Sequence, residues 1–270
     1  MPAANRYRAS ARVGVVVVSL AATLVAALAL GGLAYGAPLV TIKAKIVPIP
    51  VNPNSPARTY PKTGNILGAP AALEGEMTIK GTEYFGGPSP ITSVTVYLPT
   101  GVKLNPKAFQ TCSSAILASH EVQKCPAKSI ASPKGEVTGM VSFGSSRVFE
   151  KVTVQAFFSA GNKLTFYAEG REPALIEVTS VGGFSPASNP FGQKLSVEVP
   201  LVATVPEAPY ASEMSIKVKV GAAYMKHKKL ISYGTVPKKC PKGGFPGKVE
   251  VKFLSGESTT NTIKVPCPKH

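Results

Sequence analysis

Residues 248–265 read Lys248-Val249-Glu250-Val251-Lys252-Phe253-Leu254-Ser255-Gly256-Glu257-Ser258-Thr259-Thr260-Asn261-Thr262-Ile263-Lys264-Val265. Val249, Val251 and Phe253 fall at every second position, and Ile263 and Val265 repeat the pattern beyond Ser255-Gly256-Glu257. In an extended chain successive side chains point to opposite sides, so this period puts the apolar set on one face of a strand. Two such runs joined through a glycine-bearing turn predict a β-hairpin.

The same period recurs upstream. Val40, Ile42, Ala44 and Ile46 alternate with Thr41, Lys43 and Lys45, and Leu73, Met77 and Ile79 lie opposite Glu74, Glu76 and Lys80. Val94, Val96 and Leu98 run into Pro99-Thr100-Gly101. Further strands are expected over 135–143, 147–159, 163–169, 174–181, 194–202, 214–222 and 230–236, with Gly, Pro, Ser or Asn between most of them. Many short strands with this punctuation predict an all-β fold, read here as an immunoglobulin-like or jelly-roll-like sandwich. One short helical insertion is expected over 107–119, where Asn105-Pro106 offers a cap and a proline at the first helical position.

Arg6, Arg8 and Arg12 precede an uncharged run from Val13 to Leu30, and Ala34-Tyr35-Gly36 supplies small residues. This pattern predicts a secretory signal cut before Ala37, an uncleaved membrane anchor being the alternative. Residues 1–36 are therefore the signal or anchor. Residues 37–70 are a strand followed by a proline-rich segment, and 71–270 are a β-sandwich ectodomain, continuous or divided near residue 134. The chain is expected to be exported, secreted or held at the cell surface.

Cys112, Cys125, Cys240 and Cys267 are an even set in an exported chain and predict two disulfides. Pairing in sequence order closes the shortest loops. A four-cysteine zinc site wants close Cys-x-x-Cys-like pairs, which neither pair forms, so no metal is expected.

The net charge is +16, or +13 without residues 1–36. Lys226, Lys228, Lys229, Lys238, Lys239, Lys242 and Lys248 cluster near the C-terminus, interleaved with Tyr233 and Phe245. Such a region suits anionic cell-wall polymers or a membrane surface. Nucleic acid would suit the same charges but is not expected as the partner of an exported chain.

Candidates for catalysis are few. The chain has no aspartate, so the usual calcium loop cannot be written and a Ser-His-Asp triad would need glutamate. No serine stands in a Gly-x-Ser-x-Gly elbow. His120-Glu121 is a local pair, His227 sits among lysines, and His270 is terminal. Glu169 and Glu172 flank Gly170-Arg171 and resemble a glycosidase pair only if they face each other across a cleft. No catalytic residue and no cofactor are assigned. A non-enzymatic binding or structural module is expected, the competing reading being an envelope glycan-modifying or hydrolytic enzyme that uses glutamates.

Val96-Tyr97-Leu98-Pro99, Leu104-Asn105-Pro106, Cys112 and Cys125-Pro126 resemble a segment of uncharacterised exported bacterial β-sandwich proteins with paired cysteines. Lys239-Cys240-Pro241-Lys242-Gly243-Gly244-Phe245-Pro246, with Cys267-Pro268, is similar to their C-terminal portion. The resemblance implies a secreted or cell-envelope location and an immunoglobulin-like or related β fold, and it implies no catalytic residues.

Overall fold

The structure is a computed structural model that describes residues 36–49, 67–143 and 146–267. Residues 1–35 of the signal or anchor, residues 50–66 of the proline-rich segment and His270 lie outside them.

Fifteen strands follow in chain order: β1 Leu39–Pro48, β2 Ala71–Lys80, β3 Ile91–Pro99, β4 Lys103–Leu104, β5 Gly135–Phe143, β6 Ser146–Ser159, β7 Lys163–Gly170, β8 Ile176–Pro186, β9 Phe191–Glu198, β10 Ser212–Val220, β11 Ala223–Lys226, β12 Lys229–Ser232, β13 Gly234–Thr235, β14 Phe245–Phe253 and β15 Ser258–Val265. Eleven of them form one antiparallel sheet in the order β1-β2-β10-β5-β6-β7-β8-β9-β3-β14-β15. The two remaining pairs are β11 with β12 and β13 with β4. The all-β class, the short helical insertion and the two disulfides are as the sequence predicts. The β14–β15 hairpin pairs Val249 with Asn261 and Val251 with Thr259.

The sheet does not stay flat. Its first and last strands, β1 and β15, lie against each other. Thr259 Oγ1 on β15 donates to the Pro38 carbonyl just before β1 (3.3 Å). Val40, Met77 and Ile79 pack with Ile91, Val251 and Phe253 in one cluster, so the two ends of the sheet share a core. The result is barrel-like, with one seam closed by side chains instead of a backbone ladder.

Alternation places apolar residues inside and most charges outside. On β1, Thr41, Lys43 and Lys45 are exposed while Val40 is buried. Lys45 and Lys219 both pair with Glu74 on the outer face. A membrane-spanning barrel has the opposite distribution, an apolar band outside and a polar interior.

The insertion differs in detail from the sequence expectation. Asn105 caps only a 3₁₀ turn at Pro106–Ala108 and makes no side-chain bond. The α-helix, α1, spans Ser114–Ala118 and is capped by Ser113, whose Oγ accepts from the Ile116 amide (3.3 Å). The intervening residues are held by the barrel: Phe109 is buried, and the Cys112 amide donates to the Phe158 carbonyl (2.8 Å). Those contacts keep 109–112 out of a continuous helix. Cys112–Cys125 staples the insertion, and Cys112, Leu117, Phe157 and Tyr167 share one core against β6 and β7. The second disulfide is Cys240–Cys267.

Candidate functional site: an apolar lumen with polar ends

Barrel diameter grows with strand number, and about eight strands already give an interior that side chains just fill. Here eleven strands enclose the interior, and much of what they aim inward is small: Ala44, Gly75, Val96, Val137, Ala168 and Val218 among others. Small side chains on a wide barrel leave space. A lumen of about 410 Å³ results, walled by residues from all eleven strands of the sheet and mostly apolar, with Phe166, Phe184 and Phe245 among the aliphatic side chains and Lys43, Glu76 and Lys248 also bordering it. Gly75, between Ala44 and Val218 in register, faces empty space: a Cβ built there meets nothing within 4 Å.

One end, here called lower, carries the carboxyl groups. Glu213 on β10 lines the lumen, and its Oε2 accepts from the Ile91 amide at the start of β3 (3.0 Å). Register explains how a glutamate comes to face inward. Glu213 pairs with Gly139 and Ser215 with Thr138, leaving Met214 as an extra residue in the strand. Counting back from the lumen residue Ile216 in a regular strand would turn position 213 outward; the bulge restores it to the inside. Burial pushes the Glu213 pKa up to about 7, against the opposing pull of the Ile91 and Glu213 amides. Glu150 on β6 pairs with Gly139 from the other side, so the two glutamates occupy one row across three strands. Glu150 is 1% exposed, and neither carboxylate oxygen has a hydrogen-bond partner. Burial raises its pKa too.

The other end is aromatic on one side and basic on the other. The Phe109 ring packs 4.7 Å from Phe158, 5.4 Å from Tyr224 and 6.0 Å from Tyr233 (centroid distances), forming a plug. Tyr224 Oη donates to the Ala108 carbonyl (2.7 Å) and ties β11 to the insertion. Beside the plug, a second hollow of about 340 Å³ is lined by Lys103, Asn105, Lys229, Leu230 and Tyr233, among others. Leu104, Tyr233 and Thr235 line both spaces.

The basic residues picked out in the sequence are spread over three places. Lys226, Lys228 and Lys229 are exposed at the tip of the β11–β12 hairpin. His227 and Lys228 both have positive φ (47° and 65°), the geometry of a two-residue hairpin turn. Lys238, Lys239 and Lys242 are exposed on the loop ahead of β14, which Cys240 anchors to Cys267. Lys248 departs from the expected patch. Its ammonium donates to Glu250 Oε1 (2.7 Å) and lies 3.8 Å from the Tyr97 ring centroid, so its charge is already matched.

The candidates for acid–base chemistry do not assemble as neighbours in sequence. His120 does not pair with Glu121, which binds Lys124. Its Nδ1 lies 3.4 Å from Glu177 Oε2, and Tyr167 donates to the other oxygen of that carboxylate (2.8 Å). Burial raises the Tyr167 pKa, helped by the bond to Glu177. Glu169 is bound to Arg171, and Glu172 is exposed on the loop beyond it. Among the described residues no serine or cysteine side chain bonds to His120.

The chain matches no family model, no curated protein and no solved structure. What it can do is therefore read from its geometry. Sequence reasoning found the strands that build the lumen but not the lumen, because small apolar residues at inward positions read the same in a filled sandwich core. The run of Ala, Gly and Val at those positions is the signal that was there to find.

Proposed function

We propose that this protein is a non-enzymatic carrier or sensor that holds an apolar molecule inside its barrel. The observation that supports this is the lumen of about 410 Å³, within the usual size range of small-molecule pockets and walled mostly by apolar side chains. Such a space binds by removing apolar surface from water, worth roughly 25 cal/mol per Å² buried. Two disulfides fit an oxidising compartment, and with the basic, apolar leader they support an exported protein, secreted or held at the envelope.

The test is titration of the purified protein with an environment-sensitive apolar fluorophore, with mass analysis of an organic extract of the same preparation. Saturable binding that Gly75→Phe abolishes supports the lumen as the site. Unsaturable binding, or binding that Gly75→Phe leaves intact, overturns it.

The lysine-bearing hairpin supports a second part of the reading, contact with an anionic envelope polymer or lipid surface. Retention on isolated envelopes should then fall steeply as salt is raised, since screening weakens exposed charges first. Salt-independent retention would count against it.

A further inference from the structure

We propose that the lumen holds an anionic amphiphile, with its acidic head at the hollow beside Lys103 and Lys229 and its chain running down between the apolar walls. The inference rests on the lumen being a ligand site, and goes beyond it by fixing the ligand's charge and direction.

The hollow and the lumen are not separate features. Leu104, Tyr233 and Thr235 line both, so a molecule with a chain in one has its end beside the other. Lys103 comes from β4 and Lys229 from β12, and the fold alone brings them to one hollow. Among the described residues neither lysine has a carboxylate partner. The same holds for Lys226 and Lys228 at the adjoining hairpin tip. Lys128 adds to the group from the insertion, its Nζ 4.8 Å from the Tyr224 ring centroid on that hairpin.

No acid lies along the two stretches of chain that carry Lys103 and the β11–β12 lysines. There is no glutamate from 84 to 120 or from 214 to 249, and the chain has no aspartate at all. The opposite end of the lumen has the opposite chemistry, with Glu213 lining it and Glu150 in the same strand row. An acidic head there would face carboxyl groups, whereas at the hollow it meets ammonium groups. A cationic head would find the reverse at the upper end. The polarity of the lumen therefore selects an anionic head placed upward. Ten residues of β2 span roughly 33 Å before tilt, a wall long enough for an extended chain.

The experiment displaces the apolar fluorophore with four probes of equal chain: hexadecanoic acid, hexadecyl phosphate, hexadecanol and hexadecyltrimethylammonium. At low salt the two anions should bind about 5-fold or more tightly than the alcohol, as two unpaired ammonium groups allow. That advantage should shrink as salt rises. In the double variant Lys103→Gln/Lys229→Gln it should fall below about 2-fold, with alcohol binding unchanged, since each exposed pair contributes little alone. Inorganic phosphate should not displace the fluorophore.

Equal binding of alcohol and acid, tighter binding of the ammonium probe, or an anion preference that survives the double variant overturns this proposal and leaves the lumen reading standing. Displacement by inorganic phosphate alone indicates an ion site without a chain and also overturns it. If no chain-bearing probe binds, the lumen reading falls and takes this one with it.

Discussion

The carboxylate of Glu213 on β10 accepts a 3.0 Å hydrogen bond from the backbone amide of Ile91 on β3, two strands that are not neighbours in the sheet. The bond spans the lower end of the lumen and joins walls that no backbone ladder connects. It exists because the bulge at Met214 turns Glu213 inward.

Glu213 should make stability fall as pH rises. Its folded pKa lies above the ordinary 4.5, at about 7, so between those values the folded state binds more protons than the unfolded one. Stability from this group is complete below about pH 4.5 and is lost as pH climbs to 7 and beyond. The shift corresponds to a loss on the order of 3 kcal/mol. Denaturant melts at pH 5 and pH 8 should show the drop, and Glu213→Gln should flatten much of it. A variant as pH-sensitive as the parent would count against the assignment.

Filling the lumen should cost binding without costing the fold. Gly75→Phe places a ring where nothing lies within 4 Å of the new Cβ. Fluorophore affinity should fall at least about tenfold, while thermal stability holds or rises by about 0.5–1 kcal/mol, since glycine is unfavourable in a strand interior. A large loss of stability would show that the space is not open as described.

Arg147 should act as a clamp on the loops outside the lower end. Its guanidinium donates to the carbonyls of Tyr84 (2.9 Å), Met140 (2.9 Å) and Tyr210 (3.0 Å) and to Ser212 Oγ (3.2 Å). Arg147→Ala removes all four bonds, the Tyr84 carbonyl keeping its bond from the Gly87 amide, and should cost about 2–3 kcal/mol. Limited proteolysis should then cut more readily within 81–90 and 200–211. Lysine should not rescue it, because one ammonium cannot reproduce the planar fork.

The disulfides close loops of 13 and 27 residues. By chain-entropy reasoning each should contribute about 3 kcal/mol, the longer loop slightly more. Replacing Cys240 and Cys267 by alanine should therefore lower the melting midpoint at least as much as replacing Cys112 and Cys125. The first pair should also loosen the insertion, visible as faster amide exchange over 109–130.

How much of this was legible in the sequence differs between fold and site. The alternation of Val40, Ile42, Ala44 and Ile46, and of Val249, Val251 and Phe253, identified strands and their apolar faces because side-chain direction in a strand is a local property. The cysteine spacing gave the disulfides for a similar reason: short loops close readily. The α-helix starts later than the sequence predicts because Asn105-Pro106 is a good local start, while Phe109 and Cys112 are drawn into contacts with β6 and β11 that no local rule contains.

Local period could not say which strands meet. The β2–β10 and β9–β3 pairings join segments more than ninety residues apart, and a sandwich and a barrel present the same alternation. Whether the inner faces touch or leave a lumen depends on how many strands the sheet gathers and on side-chain volumes summed around its circumference. The inward turn of Glu213 depends on one unpaired residue, Met214, whose effect appears only when β10 is set against β5. The sequence by itself determined strand, face and disulfide, which are properties of neighbouring residues. The tertiary structure decided closure, cavity and the opposite charges at its two ends, because these come from residues that only long-range pairing brings together.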